Sequence, residues 1–315
     1  MGASSFCTVS KATGAGAGGT TWYPSDGGPY QGNDAWLNTG TWEIDARKYP
    51  QGFKPFSDWV HAHGMKFVLW FEPERVGNPN SWLGKHHREW LLPGTSHGSL
   101  LNLGNPAALA WLIDHVDKMV KSQGIDWYRE DMNGVGPLPA WRKHDAADRQ
   151  GITENLYVQG HLAFWDELRR RNHELCIDSC ASGGRRNDLE SMRRAVPLLR
   201  SDFQFPNMAG VVEGNQGHTY GLSFWLPFQG TGCYLYDTYS VRSFYLPSFG
   251  MGGLTAENTV IATRAEPGSG AGRSSPSRAS VRGLAQTSPD AVPHAPPNTN
   301  SASGFRCRRA RSRCL

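Results

Sequence analysis

The sequence predicts an α/β protein: a parallel sheet, open or closed into a barrel, followed by a disordered tail. Three observations predict it. Between residues 22 and 255, short apolar runs of strand length alternate with longer segments of helical spacing, the pattern of parallel strands joined by helices. Gly (37) and Pro (20) make up about 18% of the 315 residues, too little for a chain disordered throughout. From Ala265 onward Phe305 is the one aromatic residue, and Ser, Pro, Ala, Gly and Arg dominate without periodicity. Residues 256–315 therefore read as a low-complexity tail.

The elements follow in order. Residues 1–21 are small and polar and read as a glycine-rich leader. Gly14, Gly16 and Gly19 match GxGxxG formally. A dinucleotide site needs a strand before the glycines and a helix after them, and neither flank supplies one. Residues 66–71 and 175–180 have strand length and composition. Between them, residues 106–122 place Leu109, Leu112, Ile113, Val116, Met119 and Val120 on one helical face. Asn105 is a good N-cap for that helix, with Pro106 in its first turn. Residues 158–171 form a second helix, with Leu162, Phe164, Trp165 and Leu168 mostly on one side.

Several function classes fall away. No stretch approaches 18 consecutive apolar residues, so no spanning helix is expected. Residues 1–6 lack the apolar core of a secretory signal, and Phe6 stands where myristoylation needs Ser or Thr. The net charge is +4, but residues 265–315 hold eight Arg against Glu266 and Asp290. The remainder is slightly acidic and gives no electrostatic case for nucleic acid. The tail as an Arg-rich nucleic-acid arm is an alternative to the plainer reading, an unselected or out-of-frame extension. Six cysteines show no CxxC pair or zinc-like clustering, so reduced thiols in a cytoplasm are expected.

The chemistry-bearing residues sit at strand ends. Residues 126–133 read as a strand running into a loop. Alternation puts Trp127, Arg129 and Asp131 on one face and Tyr128 and Glu130 on the other. Residues 196–202 repeat the design, with Arg200 and Asp202 sharing a face. Two carboxylates at strand ends suit a retaining glycosidase, in which one attacks the anomeric carbon and the other protonates the departing oxygen. Taken alone, such Asp residues are more often helix caps or surface ion pairs.

The surrounding motifs add to this. They comprise Gly40-Thr41-Trp42-Glu43-Ile44-Asp45, then Met65-Lys66-Phe67-Val68-Leu69-Trp70-Phe71-Glu72-Pro73-Glu74-Arg75-Val76, then Arg129-Glu130-Asp131-Met132-Asn133. Cys180-Ala181-Ser182-Gly183-Gly184-Arg185 and Arg200-Ser201-Asp202 complete the set. In order and spacing over residues 22–255 the chain resembles glycoside hydrolase family 36, the α-galactosidases or melibiases. The resemblance implies a (β/α)8 TIM barrel, a retaining mechanism and no metal or organic cofactor. It implies Asp131 as nucleophile and Asp202 as acid/base. Trp70, Arg129, Asn133, Cys180, Gly183, Gly184, Arg185 and Trp22 are then candidate substrate contacts. Terminal α-galactosides of the melibiose or raffinose type would be the substrates. Neither nucleic acid nor membrane is an expected partner, and oligomers are left open for full-length relatives.

Departures from the family pattern are equally specific. Arg129 replaces a lysine, changing a point donor into a fork. Glu130 replaces a tryptophan on the face turned from the site. Gly19 stands where the family carries a sugar-binding aspartate, and the leader replaces the strand before it. Residues 22–255 number 234, against about 250 for a simple barrel, so about six of eight strands are expected. The family-like text ends near Leu254, which suggests a reading-frame change and a chain that is poorly active or inactive. The rival functions are an α-N-acetylgalactosaminidase or transglycosylase of the same family, and an inactive sugar-binding remnant.

Overall fold

The structure, a computed structural model, describes residues 5–9, 21–95, 97–134 and 136–251. These belong to the first of two units, Met1–Leu254. The second, Thr255–Leu315, lies outside the described residues, and with it the expected tail. The glycines of the GxGxxG match lie outside them as well.

The chain opens with β1 (Ser5–Val9), then reaches α1 (Lys54–Ala62), β2 (Met65–Phe71) and β3 (Arg75–Val76). Next come α2 (Trp82–His86), β4 (Leu91–Thr95), β5 (Gly98–Leu101), α3 (Pro106–Gln123) and β6 (Trp127–Glu130). The rest are α4 (Leu138–His144), α5 (Ile152–Arg171), β7 (Cys176–Ser179), α6 (Leu189–Met192), α7 (Val211–Leu222), β8 (Gly230–Cys233), α8 (Thr238–Ser243) and β9 (Ser248–Met251). The α3 helix starts where the sequence placed it. Asn105 Oδ1 accepts the Ala107 and Ala108 N–H groups, and Gly124 closes the helix with a left-handed residue. Its apolar stripe is buried from Leu112 to Val120.

The main sheet runs β1-β2-β6-β7, every pair parallel. It continues past β7 without forming a regular strand. Val196 bridges Asp178, and residues 197 and 200 exchange backbone bonds with Gly230 of β8. Pro197 has no N–H to give, which limits pairing there. Strand β8 then pairs in parallel with β9. Among the described residues, seven parallel strand positions thus follow one another, six of them within residues 22–255 as expected. The extra one is β1, inside the segment read as a leader. Its Ser-Phe-Cys-Thr-Val sequence suits a strand, but the glycines after it dominated the reading. A three-stranded antiparallel sheet, β3-β5-β4, lies between β2 and α3 in the chain.

Most of the core lies around β2, β6 and the helices that follow them. An aromatic cluster under the C-terminal half of β2 joins Trp22, Trp42, Phe53, Trp70 and Phe71, with ring centroids 5.3–5.9 Å apart in each touching pair. A smaller second core collects Val211, Cys233, Val241 and Phe244.

Candidate active site

Asp131 follows the last residue of β6, and its N–H donates to Phe71 O at 2.9 Å, at the end of β2. The parallel register brings both strand ends to one level. Its carboxylate is buried and accepts four N–H groups. Oδ1 takes Met132 N at 2.8 Å and Ser182 N at 3.0 Å. Oδ2 takes the Asn133 side-chain amide at 2.8 Å and Trp70 Nε1 at 3.2 Å. All four are donors, an environment that favours the anion. The turn holding two of them is itself fixed from below: Asn133 N donates to Glu72 Oε1 at 2.5 Å, and Glu72 pairs with the buried Arg75.

The loop after β7 connects Asp131 to Asp202. Cys180 N donates to Glu130 O at 2.7 Å, and the chain then turns through Ser182 (φ 49°) and Gly183 (φ 82°). Ser182 is the one non-glycine residue with positive φ among the described residues. At Gly183 a Cβ would lie 2.8 Å from Asp202 N and 3.3 Å from its carboxyl carbon. Only glycine fits this close approach and this backbone conformation. One short loop therefore donates to the first carboxylate and packs against the second. Gly184 sits as tightly on Arg200 O. Asp202 itself is exposed.

Other candidate contacts lie elsewhere than expected. Trp70 is only 2% exposed, its ring against Trp42 and its N–H on Asp131, so it positions the carboxylate rather than offering an open face to a sugar. Trp22 is 1% exposed among aromatic rings, and its N–H is committed to Trp70 O at 3.1 Å. It supports Trp70 from beneath and has no surface for substrate. The Arg129 guanidinium ends on Asp178 of β7, while Asp178 Oδ1 accepts Leu198 N at 2.8 Å. The pair ties β6 to β7, and Asp178 carries the link on to the stretch that follows Val196. Arg185 is exposed and donates to Gly134 O at 2.9 Å, joining the loops after β6 and β7. Asn133 is half-buried with its amide on Asp131. Burial and the nearby Asp131 push the Cys180 thiol up to about 12, against the pull of Arg129, so the neutral thiol is the favoured form.

The sequence reading missed the opposite face of β6. Glu130 is fully buried, taking Tyr128 Oη at 2.7 Å, Trp165 Nε1 at 2.9 Å, His161 Nε2 at 2.5 Å and Arg186 Nη1 at 3.2 Å. Arg186 also grips both oxygens of buried Glu74, which accepts Tyr157 Oη at 2.6 Å. Burial works to raise the Glu130 carboxyl, but His161 and Arg186 outweigh it and hold the group well below the ordinary glutamate range. Glu74, Glu130 and His161 offer ligand atoms within 4.8 Å of one another, yet the Arg186 guanidinium already supplies the positive charge at this point. The signal was the tryptophan-to-glutamate change at position 130: a carboxylate buried there requires partners.

Parallel strands with carboxylates at their C-terminal ends, one of them cradled by N–H donors, define an α/β protein with a carboxylate-centred site. The melibiase family model matches residues 19–206. The chain belongs to this family, glycoside hydrolase family 36. It is 30% identical over 239 residues to an α-galactosidase of Escherichia coli, covering 73% of this chain and 32% of that protein. It is 34% identical over 199 residues to α-galactosidase 2 of Pediococcus pentosaceus, covering 60% and 26%. A Lactobacillus brevis α-galactosidase shares the fold with a TM-score of 0.60 and 24% identity, covering 71% of this chain and 32% of its own. A Geobacillus stearothermophilus α-galactosidase solved with stachyose gives 0.62 and 19%, covering 80% and 35%. The chain thus spans about a third or less of the length of these relatives.

Proposed function

We propose that this chain carries the catalytic carboxylates of a retaining α-galactosidase, set on an arc of a (β/α)8 barrel. The observation that carries the reading is the loop from Cys180 to Gly184, which donates to Asp131 and lies against Asp202. In the first step an Asp131 oxygen bonds to the anomeric carbon as the glycosidic C–O bond breaks. Asp202 gives its proton to the leaving oxygen. In the second step Asp202 takes a proton from water, the water oxygen bonds to the same carbon, and Asp131 is released. Two inversions at one carbon retain configuration. The donors around Asp131 fix the nucleophile's direction of attack and are in place before substrate arrives.

The proposed substrates are terminal α-galactosides such as raffinose and stachyose, the sugars found with the Geobacillus relative. Among the described residues, no helix is long and apolar enough to cross a membrane.

The deciding experiment compares turnover of p-nitrophenyl α-galactoside with that of its N-acetylgalactosamine analogue, before and after Asp202→Ala. The expected result is hydrolysis of the galactoside, with the variant sparing the aryl substrate far more than raffinose, because only raffinose needs a strong acid. Turnover of the N-acetyl analogue alone would move the specificity to the 2-acetamido sugar. A reversed leaving-group dependence would overturn the role given to Asp202.

A further inference from the structure

Helices α7 and α8 present matching rows of side chains. Gln216, Thr219 and Tyr220 on α7 and Tyr239, Arg242 and Ser243 on α8 each follow the i, i+3, i+4 spacing that puts three residues on one helical face. Together with Tyr245 they line a shallow groove of about 470 Å³. Its three tyrosines are 75%, 60% and 53% exposed. Phe224, Trp225 and Phe228 extend the ring surface beyond the end of α7. Exposed aromatic rings at this density are not an ordinary solvated helix face.

The chemistry of the lining narrows the occupant. No aliphatic side chain lines the groove; each residue there brings a hydroxyl, an amide or a guanidinium. The polar groups are also ordered. Gln216 Nε2 donates to Ser243 Oγ at 2.7 Å and to Tyr239 Oη at 3.2 Å, and Ser243 Oγ donates to Tyr239 O at 2.8 Å. A phenol that accepts one bond still has its own proton to give. Rings offering apolar faces beside fixed donors and acceptors match a pyranose, whose C–H surface stacks while its hydroxyls bond at the edge. A protein partner would be expected to meet aliphatic residues as well. The chain's own residues 255–315 hold a single aromatic, Phe305, and have little to set against six exposed rings.

We propose that the α7–α8 groove is a second saccharide-binding site, holding a chain of hexoses apart from the carboxylate site. The idea rests on the proposed function only in the choice of a galactose-bearing probe, since no catalysis is involved.

The test is affinity electrophoresis of the full chain through gels containing galactomannan, with stachyose as soluble competitor. The chain is expected to be retarded, and stachyose to release it. Tyr220→Ala with Tyr239→Ala should weaken retention by about tenfold or more, whereas Tyr220→Phe with Tyr239→Phe should keep most of it. The rings are largely solvated, so circular dichroism should show all variants folded. Asp131→Asn should be retained like the parent chain, which separates this site from the carboxylate site and leaves the galactosidase reading to its own assay. An unretarded parent chain would overturn the proposal. So would retention lost on Asp131→Asn and kept in the alanine pair. Sedimentation covers the remaining occupant: self-association abolished by the alanine pair, without glycan retention, would assign the face to a second copy and overturn the saccharide site.

Discussion

Asp131 and Asp202 end two parts of one parallel array, with β7 between them, yet their surroundings differ sharply. Asp131 stands over the large core, with donors arriving from β2, from its own turn and from the loop after β7. Asp202 is exposed and ends a stretch that bridges its neighbours without forming a regular strand. It lies on the side of the small second core, where Phe205, Tyr220, Phe224 and other large aromatic side chains are solvated. A nucleophile must be aimed, whereas an acid that later becomes a base must exchange protons with water. With the roles proposed above, the contrast fits a division of labour between a fixed nucleophile and an accessible acid/base.

Substitutions break that comparison in decreasing order of effect. Asp131→Ala should remove turnover of aryl galactosides by at least about 10⁴-fold, with added azide restoring a little by filling the vacated space. Full activity without Asp131 would remove the distinction entirely. Glu130→Gln should be the most damaging of the supporting changes, costing about 3–5 kcal/mol of stability by removing the buried carboxylate that His161 and Arg186 share and leaving Arg186 with Glu74 alone. Chemical denaturation measures this. The pH dependence has a definite sign. Because Glu130 is depressed in the folded state, its contribution is complete above the ordinary glutamate value and is lost as pH falls through its own lower one. The Glu130→Gln variant should lose less stability than the parent across that acid window.

Trp70→Phe keeps an aromatic ring, though a smaller one, and deletes one donor to Asp131. Hydrogen bonds to charged groups are worth about 1.5–3 kcal/mol, so kcat should fall roughly 10- to 150-fold. Steady-state kinetics with KM little changed would confirm that the residue orients the nucleophile and does not bind the sugar. The smallest effect is expected at the hinge between the two environments. Gly183→Ala imposes a left-handed alanine, costing about 1–2 kcal/mol, and drives its methyl towards Asp202. Activity on poor leaving groups should fall further than activity on aryl galactosides, and equal losses on both would show that the turn does not position the acid.

What the sequence made legible was what repeats or alternates. The alternation along residues 126–133 placed Asp131 at a strand end and turned Glu130 away from it, and the α3 stripe predicted its buried face. Long-range pairing was not legible. Arg129 shows as a sugar contact in sequence because its partner, Asp178, lies 49 residues away, and only the register of β6 with β7 brings them together. Trp22 shows as a site residue because tryptophan serves equally in pockets and in cores, and burial alone separates the two. Strand β1 escaped for a local reason: five suitable residues beside a run of glycines carry too little signal to outweigh it.

The Arg129–Asp178 pair also acts as a check on assembly. Sliding β7 by one residue would turn its side chains to the wrong faces. Sliding by two would keep the faces but set Arg129 opposite a cysteine and Asp178 opposite Trp127 or Asp131. Each slipped state separates two charges that the native state pairs, and one of them brings two acids together. The ordinary hydrophobic alternation of the two strands would tolerate a two-residue slip. The ion pair does not, so the chain carries a built-in means of rejecting a misaligned sheet before the carboxylate site can form.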